Sequence, residues 1–324
     1  MCAEVKSTVK QYKSKKRKRD ASISGVVLRE LITDITGTAA GHKLQNGEYR
    51  KHPIEPEWHC PRGFVREIIE RGHYTMEYLS PELVQNERVI LQLHGGGYIG
   101  PMKNIYRRFA VLYSKALGKG RVLTIDYRVA PENPFPAALE DACDAYEWLL
   151  SHYPAENIII AGDSAGGGLA LALCHYLKDQ KKSLPAGLIL MSPWTDLTAS
   201  GESYTTNYEK DPLFGRTEDS MLFNRDYIGE NDPRNPYISP AFGEFDNFPP
   251  MLIQAGSYEM LLSDSLIVEE KVKQAGGKVR CTVYEGMFHV FQMARDILPE
   301  SRYAWKEIRE YLDYMAGKPK AYKK

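Results

Sequence analysis

Residues 157–180 read NIIIAGDSAGGGLALALCHYLKDQ, and this stretch decides the architecture. The run 157–162 is apolar, rich in isoleucine and too short for a helix, so it reads as a buried strand. Residues 165–179 follow a helical pattern. Between them stands Gly162-Asp163-Ser164-Ala165-Gly166. In this strand–turn–helix setting a Gly-x-Ser-x-Gly sequence lifts the serine hydroxyl above the sheet and makes it a nucleophile. The helix N-terminus behind Ser164 favours developing negative charge. Two rival readings are a glycine-rich turn whose serine only caps a helix and a phosphate loop, which would need a Gly-Lys-Ser/Thr ending.

The same beat extends outward in both directions. Strands are expected at 88–94, 121–127, 186–192, 250–256 and 279–285, with helices at 104–118, 137–151, 264–275 and 301–316. Upstream, FVREIIERG and YTMEYLS flank a turn at Gly72–His73 and read as an antiparallel edge. Apolar runs alternating with helices predict a mostly parallel, eight-stranded sheet covered on both faces. Residues 193–249 break the beat and are too long for an ordinary connection. Such an insertion should lie over the carboxyl ends of the strands, where open α/β sheets bind ligands. The expected division is 1–60 as the N-terminal part of a cap, 61–195 with 246–324 as the catalytic core, and 196–245 as the cap insertion.

Bulk composition narrows the class. The 324 residues carry 42 basic and 42 acidic side chains, so net charge gives no reason to expect nucleic acid as a partner. A basic run, Lys13 to Arg19, reads as a solvated end. Five cysteines match no zinc spacing, and a reducing cytoplasm is expected. No secretory h-region or membrane-length apolar run is present, so neither secretion nor a membrane partner is expected.

The remaining chemistry follows from two further stretches. LQLHGGGYIGP closes a strand with His94-Gly95-Gly96-Gly97. Glycines at a strand end let backbone N–H groups turn toward a ligand, and this arrangement supplies oxyanion donors in esterases. Gly96 and Gly97 are the expected donors, with the Ala165 N–H from the serine turn; His94 is expected to hold the loop. VYEGMFHVF puts His289 just beyond the last strand, where a triad base belongs. For the acid, Glu259 stands directly after strand 250–256, and Asp264 stands where a helix begins. Position favours Glu259, with Asp264 as a helix-terminus carboxylate and as the alternative acid.

With these residues in hand, the chain resembles the hormone-sensitive-lipase-like family of α/β-hydrolases. The matching segments are HGGGYIG (94–100), DYRVAPENPFPAALED (126–141), GDSAGGGLA (162–170), SPWTDLT (192–198) and EGMFHVF (285–291). The resemblance implies the α/β-hydrolase fold with a helical cap. It puts the nucleophile on Ser164, the base on His289, and the oxyanion donors on Gly96, Gly97 and Ala165. The family's Asp-Pro-Leu-x-Asp segment is replaced here by EMLLSD, yet Glu259 keeps the family's spacing from its histidine. Arg128 and Glu132 in the DYRVAPE stretch are expected to brace the core. The implied activity is hydrolysis of short-chain acyl esters, with neither metal nor organic cofactor; self-association is compatible with it. A non-catalytic binder on the same fold, an amidase or a lactonase are the alternatives.

Overall fold

The computed structural model describes residues 20–48 and 55–317. The basic run Lys13 to Arg19, Cys2 and His52 lie outside the described residues. Two helices, α1 (Ile23–Thr36) and α2 (Ala39–Gln45), precede an eight-stranded sheet. The strands are β1 (Phe64–Glu70), β2 (Thr75–Pro81), β3 (Val89–Leu93), β4 (Arg121–Asp126), β5 (Ile158–Asp163), β6 (Gly187–Met191), β7 (Met251–Gly256) and β8 (Val279–Tyr284). Their order is β1-β2-β4-β3-β5-β6-β7-β8. The β1–β2 and β2–β4 pairings are antiparallel and all others parallel.

Sequence explains why the sheet is central. Strands β3, β5, β6 and β7 are buried at every position, as strands covered on both faces must be. Alternate side chains serve opposite faces. Val89, Leu91, Leu93, Ile158 and Ile160 enter one core layer, whereas Ile90, Ile159 and Ala161 enter the other. The first layer packs under α4 (Ala137–Leu150), α5 (Ala165–Asp179) and α7 (Leu262–Gln274), the second under α3 (Asn104–Ala116) and α8 (Pro299–Met315). Edge strand β1 instead leaves Val65 and Ile68 exposed.

The insertion between β6 and β7 is packed but barely helical. It holds one short helix, α6 (Ser203–Thr206), and 3₁₀ turns at Met221–Phe223 and Pro240–Phe242. Prolines at 193, 212, 233, 236 and 240 remove the N–H groups a longer helix needs. The helices expected of a cap therefore belong to the N-terminal part, α1 and α2. They reach the insertion through Thr36 Oγ1 donating to Pro212 O (2.8 Å) and Gln45 Nε2 donating to Gly215 O (3.0 Å).

The DYRVAPE stretch divides its expected roles. Arg128 grips the buried Asp141 carboxylate at 2.7 Å and reaches Glu140 at 3.0 Å. Glu132 is exposed and braces nothing buried, because the turn that carries it faces outward. Among the described residues no helix is long and apolar enough to cross a membrane.

Candidate active site

The ends of five strands, β3, β5, β6, β7 and β8, and their loops converge on one edge of the sheet. Ser164 stands between β5 and α5 with φ 52° and ψ −124°. A non-glycine residue in this region is strained by roughly 1–3 kcal/mol. Close packing holds it there. A Cβ on Gly162 would lie 2.3 Å from Gly166 O, and one on Gly166 would lie 2.1 Å from Leu93 O. Only glycine lets strand and helix approach this far. The Ser164 N–H donates to Met191 O (3.0 Å), and its carbonyl accepts from Gly167, Gly168 and Trp194.

The loop after β3 runs alongside. Gly96 and Gly97 take φ values of 138° and 66°, which a side chain would resist. The Gly96 carbonyl accepts from Ile99 and Gly100 and thereby points into the loop's own turn. Among the described residues, the N–H groups of Gly96, Gly97 and Ala165 have no acceptor within the chain. For Ala165 the reason is its place at the start of α5, where the first N–H groups lack intrahelical partners. Asp163 Oδ1 accepts the Gly95 N–H (3.2 Å) and ties this loop to the serine turn. His94 is buried beneath the loop. Its Nδ1 bonds Gly95 O (2.8 Å), and its ring stacks on Tyr127 at 4.0 Å. Burial pulls its pKa below the ordinary histidine value, against the nearby Asp126 carboxylate, which favours the charged form.

Glu259 and His289 meet across the ends of β7 and β8. The buried Glu259 Oε2 bonds His289 Nδ1 at 2.8 Å. Its Oε1 accepts the Gly256 N–H and the Ser192 hydroxyl (3.1 Å). Ser192 Oγ in turn accepts the Val290 N–H (3.1 Å). Ser192 itself follows β6, has φ 46°, and donates its N–H to Gln254 O (2.7 Å). A continuous chain of hydrogen bonds thus joins the Ser164 turn, the 191–194 loop, Glu259 and the residue after His289. Phe214, from the insertion, meets the His289 imidazole edge-on at 4.9 Å.

Asp264 has a different position. It lies in the first turn of α7, but the helix cap makes no side-chain bond. Its Oδ2 accepts the N–H groups of Thr195 (2.6 Å) and Asp196 (2.8 Å) instead. Complete burial pushes its pKa up to about 8. It fastens the insertion to α7 rather than capping the helix.

Several residues around the site were not singled out in the sequence: Ser192, Asn207, Asp211, Phe214 and Met221. The Met221 sulfur would stand 3.2 Å from a Cβ on Gly97, so this thioether lies over the glycine loop. Ser192 was visible only as part of SPWTDLT. Its partners are 67 and 98 positions away, and local pattern does not carry such distances. Among the described residues no group of three or more histidine, cysteine or carboxylate side chains is arranged to hold a metal.

Comparison with known proteins gives a consistent picture. The profile of the α/β-hydrolase fold family matches residues 90–293. An acetyl-hydrolase of Streptomyces hygroscopicus is 38% identical over 252 residues, covering 78% of this chain and 83% of that one. An esterase of Acinetobacter venetianus is 39% identical over 69% of this chain and 74% of its own. The crystal structure of EstE5 soaked with p-nitrophenyl butyrate superposes with a TM-score of 0.82 at 32% identity, covering 92% of this chain and all of that one. A crystal structure of an esterase from the bacterial hormone-sensitive lipase family gives 0.79 at 32%, covering 92% of this chain and 99% of that one.

Proposed function

The chain belongs to the hormone-sensitive-lipase-like esterases of the α/β-hydrolase fold, and from that premise we propose a mechanism residue by residue. The protein is a serine carboxylesterase acting on small acyl esters. Ser164 attacks the ester carbonyl while His289 takes its proton. The N–H groups of Gly96, Gly97 and Ala165 bind the tetrahedral oxyanion, each worth about 3 kcal/mol at the transition state. His289 then protonates the leaving alcohol and activates the water that releases the acid. Glu259 fixes the imidazole so that Nδ1 carries the hydrogen and Nε2 is the basic face.

The observation that carries this reading is the buried Glu259–His289 bond, 2.8 Å long, joined by hydrogen bonds to the strained Ser164 turn. A binder without catalysis has no use for a strained serine beside three unpaired donors. The N-terminal segment 1–60 and residues 196–245 act together as the cap, a role supported by the bonds from Thr36 and Gln45. Four free cysteines, Cys60, Cys143, Cys174 and Cys281, support a cytoplasmic setting. Balanced charge supports a small-molecule substrate with no nucleic-acid partner.

The test is hydrolysis of p-nitrophenyl butyrate by wild type and Ser164→Ala, beside one amide and one lactone. Ester turnover should dominate, and the variant should lose several orders of magnitude while keeping its melting temperature. Near-wild-type turnover in the variant removes Ser164 from the mechanism.

A further inference from the structure

We propose that Asp211 is a positioning residue for this reaction: its carboxylate sets where Phe214 and the segment after Glu259 stand around His289. The proposal rests on the reading of Glu259 and His289 as acid and base.

Asp211 is 2% exposed and takes no part in the mechanism above. Its Oδ1 accepts the N–H groups of Leu213 (2.8 Å) and Phe214 (3.0 Å). Its Oδ2 accepts the N–H of Met260 (2.7 Å), the residue directly after Glu259. One side chain thus holds two segments 49 positions apart, and each ends on the catalytic pair. The first segment delivers the Phe214 ring to the imidazole; the second carries Glu259.

Neighbouring bonds leave the clamp little slack. Asn207 Nδ2 donates to the carbonyls of Ser257 (3.1 Å) and Glu259 (2.9 Å). From the opposite side, Thr36 and Gln45 hold the carbonyls of Pro212 and Gly215. The 211–215 backbone is thus tied to α1 and α2, the Glu259 segment is tied to Asn207, and the Asp211 carboxylate joins the two. Burial pushes its carboxyl above the ordinary carboxylate range, and the three N–H groups and His289 oppose that rise.

The chemistry demands a carboxylate. Two oxygens receive three backbone N–H groups, and all three donors are fixed by the chain. An asparagine amide presents one oxygen and one NH2, so its nitrogen would face a backbone N–H, donor against donor. A serine hydroxyl is too short to span both segments. Without the clamp, Phe214 and Met260 lose their shared acceptor, and Asn207 remains as the tie between the insertion and the Glu259 segment. A displacement of about 1 Å at a reacting group costs on the order of a hundredfold in rate.

The experiment is a double-mutant cycle on p-nitrophenyl acetate and butyrate with Asp211→Asn, Phe214→Ala and both together, reading kcat, KM and melting temperature. Asp211→Asn should lower kcat by roughly ten- to hundredfold. Its KM for the acetyl ester should stay within about threefold, since misplacement acts mainly in the transition state. Phe214→Ala should lose less, and the double variant should be no slower than Asp211→Asn, because both act through one segment. A melting temperature that falls while kcat per folded enzyme is unchanged assigns Asp211 a structural role only and overturns the proposal. Losses that multiply in the double variant overturn the route through Phe214. If Asp211→Asn does not fold, Phe214→Leu decides: its kcat should fall with KM unchanged, and an unchanged kcat overturns the proposal. An inert wild type would sink the functional reading as well; an active wild type with a fully active Asp211→Asn sinks this proposal alone.

Discussion

The strand core and the 193–249 insertion are held together by different forces. In the core, apolar side chains alternate between two layers, and backbone N–H groups are satisfied by neighbouring strands. In the insertion, short-range backbone turns are supplemented by side chains that accept N–H groups, above all three buried aspartates, two within it and Asp264 on α7. Asp196 accepts from the backbone and hydroxyl groups of Thr198 and Ser200. Asp211 accepts from Leu213, Phe214 and Met260, and Asp264 from Thr195 and Asp196. The difference teaches where function can vary. Sheet geometry places the candidate catalytic groups, whereas a segment built on individual polar contacts can be reshaped wherever those contacts do not reach the site.

The largest expected effect separates a carboxylate that works on chemistry from one that works on structure. Glu259→Gln should cost up to about ten-thousand-fold in kcat through loss of the correct histidine tautomer. Asp264→Asn should keep kcat within a few-fold and show its effect in melting temperature. If Asp264→Asn abolishes turnover in a folded protein while Glu259→Gln stays active, the roles are reversed.

A pair of stability variants sharpens the comparison next. Leu91 is fully buried in the first core layer, and Leu91→Ala should cost about 3 kcal/mol in global unfolding. Asp196→Ala strands the donors of residues 198 and 200 and should cost about 2 kcal/mol, confined to the insertion. Activity and circular dichroism should therefore be lost together in denaturant for Leu91→Ala. For Asp196→Ala, activity should disappear first. Coincident curves in both variants would mean that core and insertion unfold as one unit.

How much of this was legible in the sequence follows the same division. Strands β3 to β8 could be read because apolar runs alternating with helices have few other solutions, and β1 and β2 from the turn at Gly72–His73 that joins them. Ser164 and its turn were legible because glycine spacing is a local signal. The pairing of His289 with Glu259 rather than Asp264 rested on chain position, on the family's spacing and on the helix that starts at Asp264, and the structure brings Glu259 and His289 together. The insertion resisted reading. DPLFG at 211–215 looks like any proline-containing loop, since its partner Met260 is 49 residues distant. Of the helices expected for the cap, α1 and α2 lie in the N-terminal part, and the insertion contributes only α6 and two 3₁₀ turns.

The last expected effect is one of pH. His175 on α5 bonds Pro240 O in the insertion (3.1 Å) and packs against Phe245 and Phe248. Burial pushes its pKa down to about 4, below an ordinary histidine near 6.5. Between those values the unfolded chain binds a proton that the folded chain refuses. Stability should therefore fall as pH drops from about 6.5 to about 4, by up to about 3 kcal/mol from this residue. His175→Gln, whose amide can still donate to Pro240 O, should flatten that part of the melting-temperature profile. An unchanged slope would assign the acid sensitivity to other groups.

The central claim is that the strained serine after β5 is the nucleophile. The most direct measurement is peptide mass spectrometry after inactivation with phenylmethylsulfonyl fluoride, with residual ester hydrolysis followed in parallel. The account predicts a single sulfonyl adduct on Ser164, formed in step with loss of activity and absent from Ser164→Ala. An adduct on another residue that tracks inactivation, or full activity with Ser164 modified, would contradict it.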